Sequence, residues 1–242
     1  MKKRADIVVT EQGLTKSRTA AAELIRTGNI IADNATVKKP SDLISPDAKI
    51  QIITELPYVG RGGVKLAHAL DTFHIKVSGK TLVDIGASTG GFTDCALQYG
   101  AKKIYAVDVG HSQLAEELRK DPRVIVMERT DIRTVTLPER VDLAVIDVSF
   151  ISLVHILPRT KELLAPHGEV VALIKPQFEV GREHVGKQGV VKNEQAQKEA
   201  LHTVLENAED LGFSVQGITE SPILGGTGNK EFLAYFTLSP VS

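Results

Sequence analysis

Residues Val83 to Thr93 read Val-Asp-Ile-Gly-Ala-Ser-Thr-Gly-Gly-Phe-Thr. The apolar run Thr81 to Val83 leads into an acidic residue and three glycines, and an amphipathic segment from Phe92 to Tyr99 follows. A strand, a tight turn and a helix start in this order form the cofactor-holding unit of a doubly wound sheet. The glycine spacing narrows the choice of cofactor. A dinucleotide loop needs Gly-x-Gly-x-x-Gly, so that backbone amides can approach a pyrophosphate. Here the order is Gly86-x-x-x-Gly90-Gly91, with Asp84 two residues before the first glycine. That order suits a cofactor with no phosphates and a positively charged amino-acid tail, namely S-adenosylmethionine. Gly86, Ser88, Thr89, Gly90, Gly91 and Phe92 are the expected cradle. A bulky residue at Gly90 is expected to fill the cofactor's space while leaving the protein folded.

The remainder of the chain continues as α/β. Strands are expected at 81–85, 103–107, 124–127, 143–147, 169–174, 213–219 and 232–238, and helices at 91–99, 111–120, 152–164 and 193–211. This alternation implies a Rossmann-like, mostly parallel sheet covered on both faces. The last two strands have no helix between them and should pair antiparallel. The polar, glycine-bearing stretch Gln177 to Lys192 is expected to be a mobile loop near the active edge.

Ligands in such sheets sit at the carboxyl ends of the strands, and acidic residues fall there. Asp84 can hold a cationic amino-acid end, directly or through water. Asp108 can accept both ribose hydroxyls, and Asp131 can take the adenine amino group with Ile132 packed on the ring. The fourth strand ends in Asp147-Val-Ser-Phe and the fifth in Lys175-Pro-Gln-Phe. A lysine closing an apolar strand is costly unless it is used or paired. Glu231 opens the final strand, and Lys65 begins a helix after the linker, so the four can converge. Cys95 lies on the helix after the glycine loop, which disfavours methylation chemistry that needs a cysteine nucleophile.

Other features bound the setting. Among 242 residues there is one cysteine, so no intrachain disulfide forms and a thiolate metal cluster is disfavoured; no metal is expected. No apolar run approaches the roughly 18 residues that span a bilayer. The charged N-terminus lacks a signal-peptide core, so a cytoplasmic location without membrane partners is expected. Residues 1–54 hold nine Lys+Arg and six Asp+Glu, a net of +3 in a chain whose total is −1. Three divisions are expected: a small α+β domain at 1–55, a Pro/Gly-rich linker at 56–63 and the large domain at 64–242. In the first, a helix starts at Thr15-Lys-Ser-Arg-Thr and stops near Gly28. Asp33-Asn34 forms a turn, and the last strand runs from Lys49 to Ile53.

This small domain resembles the RNA-binding domain of ribosomal small-subunit protein four, through Gly13-Leu-Thr-Lys-Ser-Arg-Thr-Ala-Ala, Arg26-Thr-Gly-Asn-Ile and Lys39-Pro-Ser-Asp. A helix with a basic edge grips phosphates without reading bases. Lys16, Arg18, Arg26, Lys38, Lys39 and Arg61 are the candidate RNA contacts. Lys65, Asp147, Lys175 and Glu231 match the Lys-Asp-Lys-Glu tetrad of ribose 2′-O-methyltransferases of the FtsJ type. The whole chain resembles the TlyA, or hemolysin A, family, with specific segments at Arg61-Gly-Gly-Val-Lys-Leu, Gly90-Gly-Phe-Thr-Asp and Lys175-Pro-Gln-Phe-Glu. The resemblance implies methylation of a cytidine ribose in ribosomal RNA, with ribosomal RNA or subunits as partners. A neutral Lys175 could accept the hydroxyl proton, or a charged one could steady the alkoxide, with Lys65 nearby favouring the proton-free amine. Asp147 and Glu231 would orient the lysines. Two other readings are a catalytically silent RNA-binding or ribosome-assembly factor, and a hemolysin.

Overall fold

The structure is a computed structural model that describes residues 2–26, 29–33, 35–37, 39–52, 57–187 and 189–238. The chain divides into two compact units, Met1–Pro57 and Tyr58–Ser242.

In the first unit, β1 (Lys3–Arg4) precedes α1 (Ala5–Glu11) and α2 (Arg18–Arg26), followed by β2 (Ile30–Ala32), β3 (Ala35–Thr36), β4 (Leu43–Ile44) and β5 (Ile50–Ile52). β2 pairs antiparallel with both β3 and β5, and β1 pairs antiparallel with β4. Ile7, Val8 and Val9 are β-branched, yet they lie in α1. Ala5, Val8 and Val9 share one helical face and are fully buried, and that burial outweighs local preference. Gly28, Asn34, Lys38 and Ile53 lie outside the described residues.

Asp6 is 4% exposed and accepts hydrogen bonds from Arg4 Nε (2.9 Å) and Arg18 Nη2 (3.0 Å). The Arg4 guanidinium, then Arg18, hold its carboxyl down at about 2, against the opposing effect of burial. A carboxyl depressed in the folded state stabilises above its unfolded value near 3.8 and loses that contribution as pH falls toward 2. Both arginines are about half exposed, which reduces the effect to about 1–2 kcal/mol. Asp6→Asn should therefore flatten the acid limb of urea stability between about pH 4 and 2. An unchanged limb would dissociate Asp6 from that titration.

The second unit opens with α3 (Gly62–Thr72), β6 (Thr81–Ile85), α4 (Gly91–Gln98), β7 (Lys103–Val107), α5 (Glu116–Lys120), β8 (Val124–Met127) and β9 (Val141–Ile146). A 3-10 turn at Leu153–His155 precedes α6 (Leu157–Leu163), β10 (Leu164–Ile174), α7 (Pro176–Glu179), a second 3-10 turn at Arg182–His184, α8 (Glu194–Asp210), β11 (Phe213–Glu220) and β12 (Phe232–Leu238). The strands form one sheet ordered β11-β12-β10-β9-β6-β7-β8. All neighbours are parallel except β12, which runs antiparallel to β10 and β11. Side chains alternate across the sheet: Leu82 joins the core beneath α3 and α4, while Val83 and Ile85 join the core beneath α6 and α8. Both faces are thus covered, as the near-continuous apolar strands require.

Several boundaries differ from expectation: β10 begins five residues early, at Leu164, β9 begins at Val141, and α2 begins at Arg18 rather than Thr15. α3 starts at Gly62, inside the expected linker, and its glycine lets the helix start lie against Phe92 of α4. The helix expected at 111–120 is present only from Glu116. The Ser112 and Gln113 amides donate instead to the Glu128 carboxylate (2.9 and 3.2 Å), and Ser112 takes φ +54°. The helix expected at 152–164 is broken before α6, which carries Pro158 in its first turn, where a missing N–H costs nothing. The stretch 177–192 contains the end of α7 and the second 3-10 turn.

Candidate active site

The register aligns the parallel strands so that their carboxyl ends share one edge. Ile85 lies beside both Val107 and Ile146, and Ile174 beside Phe232. The next residues outward are Gly86, Asp108, Asp147 and Lys175, with Glu231 just before β12. The sheet order reverses between β6 and β9, and a cavity of about 470 Å³ opens there. Such switch points are where open α/β sheets bind ligands.

Gly86, Ser88, Asp108, Asp131, Ile132 and Asp147 line the cavity, with Val107, Val109, Val148 and Ile151 among its apolar walls. Asp108 bridges two loops: its carboxylate accepts from the Ser88 amide (2.8 Å) and the Gly110 amide (2.7 Å). Asp131 is held by Arg133, Nη2 to Oδ2 at 2.6 Å. Lining charges are thus three carboxylates and one guanidinium that is already paired. Asp84 lies behind this lining, fully buried, with Thr93 Oγ1 donating to Oδ2 at 2.6 Å. Its Oδ1 has no hydrogen-bond partner among the described residues. Burial pushes the Asp84 carboxyl up to about 7, and nearby Asp147 and Asp108 add to the rise. An apolar cavity floored by carboxylates fits a cofactor that carries no phosphate, such as S-adenosylmethionine.

Thr89, Gly90, Gly91 and Phe92 do not reach the cavity lining. The expectation for Gly90 is corrected: a side chain there would strike Leu114 and Leu118 of the core, and its φ of +98° disfavours any other residue. Gly90→Val should therefore destabilise by about 2–4 kcal/mol, through overpacking and strain, without filling the cofactor's space. A variant that melts normally yet binds no S-adenosylmethionine would contradict this packing. A Cβ on Gly91 would lie 2.9 Å from the Gly63 amide, so this glycine serves the close approach of α3 and α4. Phe92 is core.

The structure brings the tetrad together as two pairs. Lys65 Nζ lies 2.5 Å from Glu231 Oε2, with both side chains more than nine-tenths buried. Lys175 Nζ lies 2.6 Å from Asp147 Oδ1 and donates to Ser149 Oγ at 2.9 Å. The start of α3, three residues before Lys65, lies beside the second pair, since a Cβ on Gly62 would sit 3.6 Å from Asp147 Oδ2. Sequence reasoning missed Ser149, although it quoted the Asp147-Val-Ser-Phe segment. It also assigned nothing to Phe150, which is 91% exposed at the cavity rim with φ +66°. Such an exposed, strained aromatic marks a site better than any sequence pattern could. Cys95 is fully buried away from the cavity, and burial pushes its thiol up to about 12.

Of the candidate RNA contacts, Lys16 and Lys39 are exposed, Arg18 pairs with Asp6 and Arg26 lies 3.9 Å from Glu23. Arg61 belongs to the second unit and donates to the Leu224 carbonyl. Among the described residues no helix is long and apolar enough to cross a membrane, and no group of three or more His, Cys, Asp or Glu could hold a metal ion.

Comparison with known proteins accords with this geometry. The FtsJ-like methyltransferase family matches residues 58–238. YqxC of Bacillus subtilis is 46% identical over 97% of this chain and 85% of its own length. The 16S/23S rRNA (cytidine-2′-O)-methyltransferase TlyA of Mycobacterium tuberculosis is 42% identical over 96% of this chain and 88% of its own. A solved structure from Streptococcus thermophilus that carries the name hemolysin shares 43% identity with a TM-score of 0.78, covering 98% of this chain and 89% of that one. The chain belongs to the FtsJ-like methyltransferase family.

Proposed function

We propose that the protein transfers a methyl group from S-adenosylmethionine to the ribose 2′-oxygen of a cytidine in ribosomal RNA, in the cytoplasm. The observation that carries this reading is the pairing of Lys175 with Asp147 and of Lys65 with Glu231 at one sheet edge, beside a carboxylate-floored cavity. Relatives named for cytidine 2′-O-methylation support the substrate class. Gly86 would lie against the cofactor's amino-acid end, with Asp84 buried behind it, while Asp108 would hold the ribose and Asp131 with Ile132 the adenine. When bound, S-adenosylmethionine supplies a methyl group activated by a sulfonium.

The protein's own residues supply the rest. A ribose hydroxyl is a poor nucleophile at neutral pH. Lys175, having first passed its own proton to solvent, accepts the hydroxyl proton, and Asp147 and Ser149 hold the resulting ammonium. Lys65, oriented by Glu231, adds positive charge where negative charge gathers on oxygen. Phe150 offers an exposed ring on which a base can stack. Lys16, Arg18, Arg26, Lys39 and Arg61 serve RNA capture. Arg18 and Arg26 keep donors for phosphate beyond those engaged by Asp6 and Glu23, because a guanidinium has five.

Incubation with methyl-labelled S-adenosylmethionine and purified small or large ribosomal subunits, followed by nuclease digestion, tests the reading. Label is expected in 2′-O-methylcytidine. RNA binding without incorporation would instead identify a silent binding protein, and label on a base would refute the ribose assignment.

A further inference from the structure

We propose that Glu179 is a positioning residue for Lys175, clamping the segment that carries it to the segment that carries Asp147 and Ser149. This inference rests on the ribose-methylation reading above.

Two short segments leave adjacent parallel strands at the active edge. One follows β9 and carries Asp147 and Ser149; the other follows β10 and carries Lys175. Each is free to move relative to the other unless something ties them together beyond the sheet. α7 is a single turn that starts at once after Lys175, with the Phe178 amide donating to the Lys175 carbonyl at 2.9 Å. That turn carries Glu179 back across the gap. Its carboxylate accepts from Ser152 Oγ at 2.5 Å and from the Leu153 amide at 3.0 Å. The Phe178 ring also lies 5.1 Å from that of Phe150, at 51°.

Lys175 itself is a long, flexible side chain whose Asp147 and Ser149 partners both lie on the opposite segment. Its Nζ is correctly aimed only while the two segments keep their spacing. A shift of about 1 Å at a reacting group can cost on the order of 10²-fold in rate. Glu179 fixes the far end of the Lys175 segment, and a carboxylate accepting two hydrogen bonds is a stronger tie than the ring contact alone. Glu179 does not line the cofactor cavity. It should therefore act on turnover and not on cofactor affinity.

The test compares the full-length protein with E179A, E179Q, S152A and the E179A/S152A double variant. Readouts are single-turnover methylation of ribosomal subunits, KM for the subunits, S-adenosylmethionine affinity by calorimetry, and melting. E179A should lose about tenfold or more in turnover, as misplacement predicts, with cofactor Kd and KM within about twofold. E179Q should recover most of the rate, because its amide oxygen still accepts a hydrogen bond. S152A should fall between them, and the double variant should be no slower than E179A, since the two removals break one contact. Wild-type turnover in a destabilised E179A would mean that Glu179 is only a structural tie, and loss of cofactor affinity in step with turnover would equally overturn the proposal. If E179A does not fold, an E179Q and an S152A that both turn over normally overturn it. A wild-type protein that labels no ribose refutes the ribose-methylation reading itself and this inference with it. A wild type that labels ribose alongside an unimpaired E179A removes the inference alone.

Discussion

Lys175→Ala is expected to lower single-turnover methylation by about 10²–10⁴-fold, the usual contribution of a positioned proton acceptor, while S-adenosylmethionine affinity stays within a few-fold. Lys175 is 9% exposed and does not itself line the cavity; its Nζ is engaged by Asp147 and Ser149. A lysine that merely snorkels at a strand end would behave differently: its loss would cost about 0.5 kcal/mol and leave turnover intact. Asp147→Ala should abolish turnover too, with some loss of cofactor affinity, because Asp147 lines the cavity as well as holding Lys175. Single-turnover assays alongside melting curves separate these cases. An active, normally folded Lys175→Ala protein would remove both the tetrad assignment and the 2′-O specificity that depends on it.

The largest stability effect is expected at Glu231. Its carboxylate is the partner of Lys65 in a pair whose side chains are 8% and 3% exposed. Glu231→Ala leaves a buried ammonium without its counter-ion, which typically costs about 3–5 kcal/mol. Stability and chemistry can be separated here. Converting the pair together, Lys65→Met with Glu231→Leu, removes both charges and refills the volume, which is often neutral or stabilising by about 1–4 kcal/mol. The double variant should therefore regain stability in urea denaturation but not methylation. Recovery of both would show the pair to be a structural tie with no part in the chemistry.

Much of this protein is legible in the sequence because periodicity and strand ends are local properties. The runs Thr81–Ile85 and Lys103–Val107 are apolar enough to be buried on both faces, which calls for a parallel sheet between helices. The missing helix between Phe213–Glu220 and Phe232–Leu238 marks the antiparallel pair. Asp108, Asp131 and Asp147 are readable as a group because each follows a strand, and strand ends share one edge. Local rules fail where a distant group claims the backbone. Val8 and Val9 are β-branched but helical because the face they share with Ala5 is buried. Ser112 and Gln113 leave the helix ladder because Glu128, 16 and 15 residues away, takes their amides.

The sequence by itself determined the fold class, the strand, turn and helix start of the glycine loop, and which charged residues stand at the strand ends. Tertiary structure alone decided which of those charges meet. Lys65 and Glu231 are 166 positions apart, and only the antiparallel register of β12 beside β10 and the packing of α3 on α4 set their 2.5 Å contact. Likewise Gly90 turned out to face Leu114 and Leu118, while Ser149 and Glu179 gained partners 26 and 27 residues away. The physical reason is that propensity and pattern act along the chain over a few residues, whereas the partner of a buried charge is chosen by sheet register and helix packing across the whole unit.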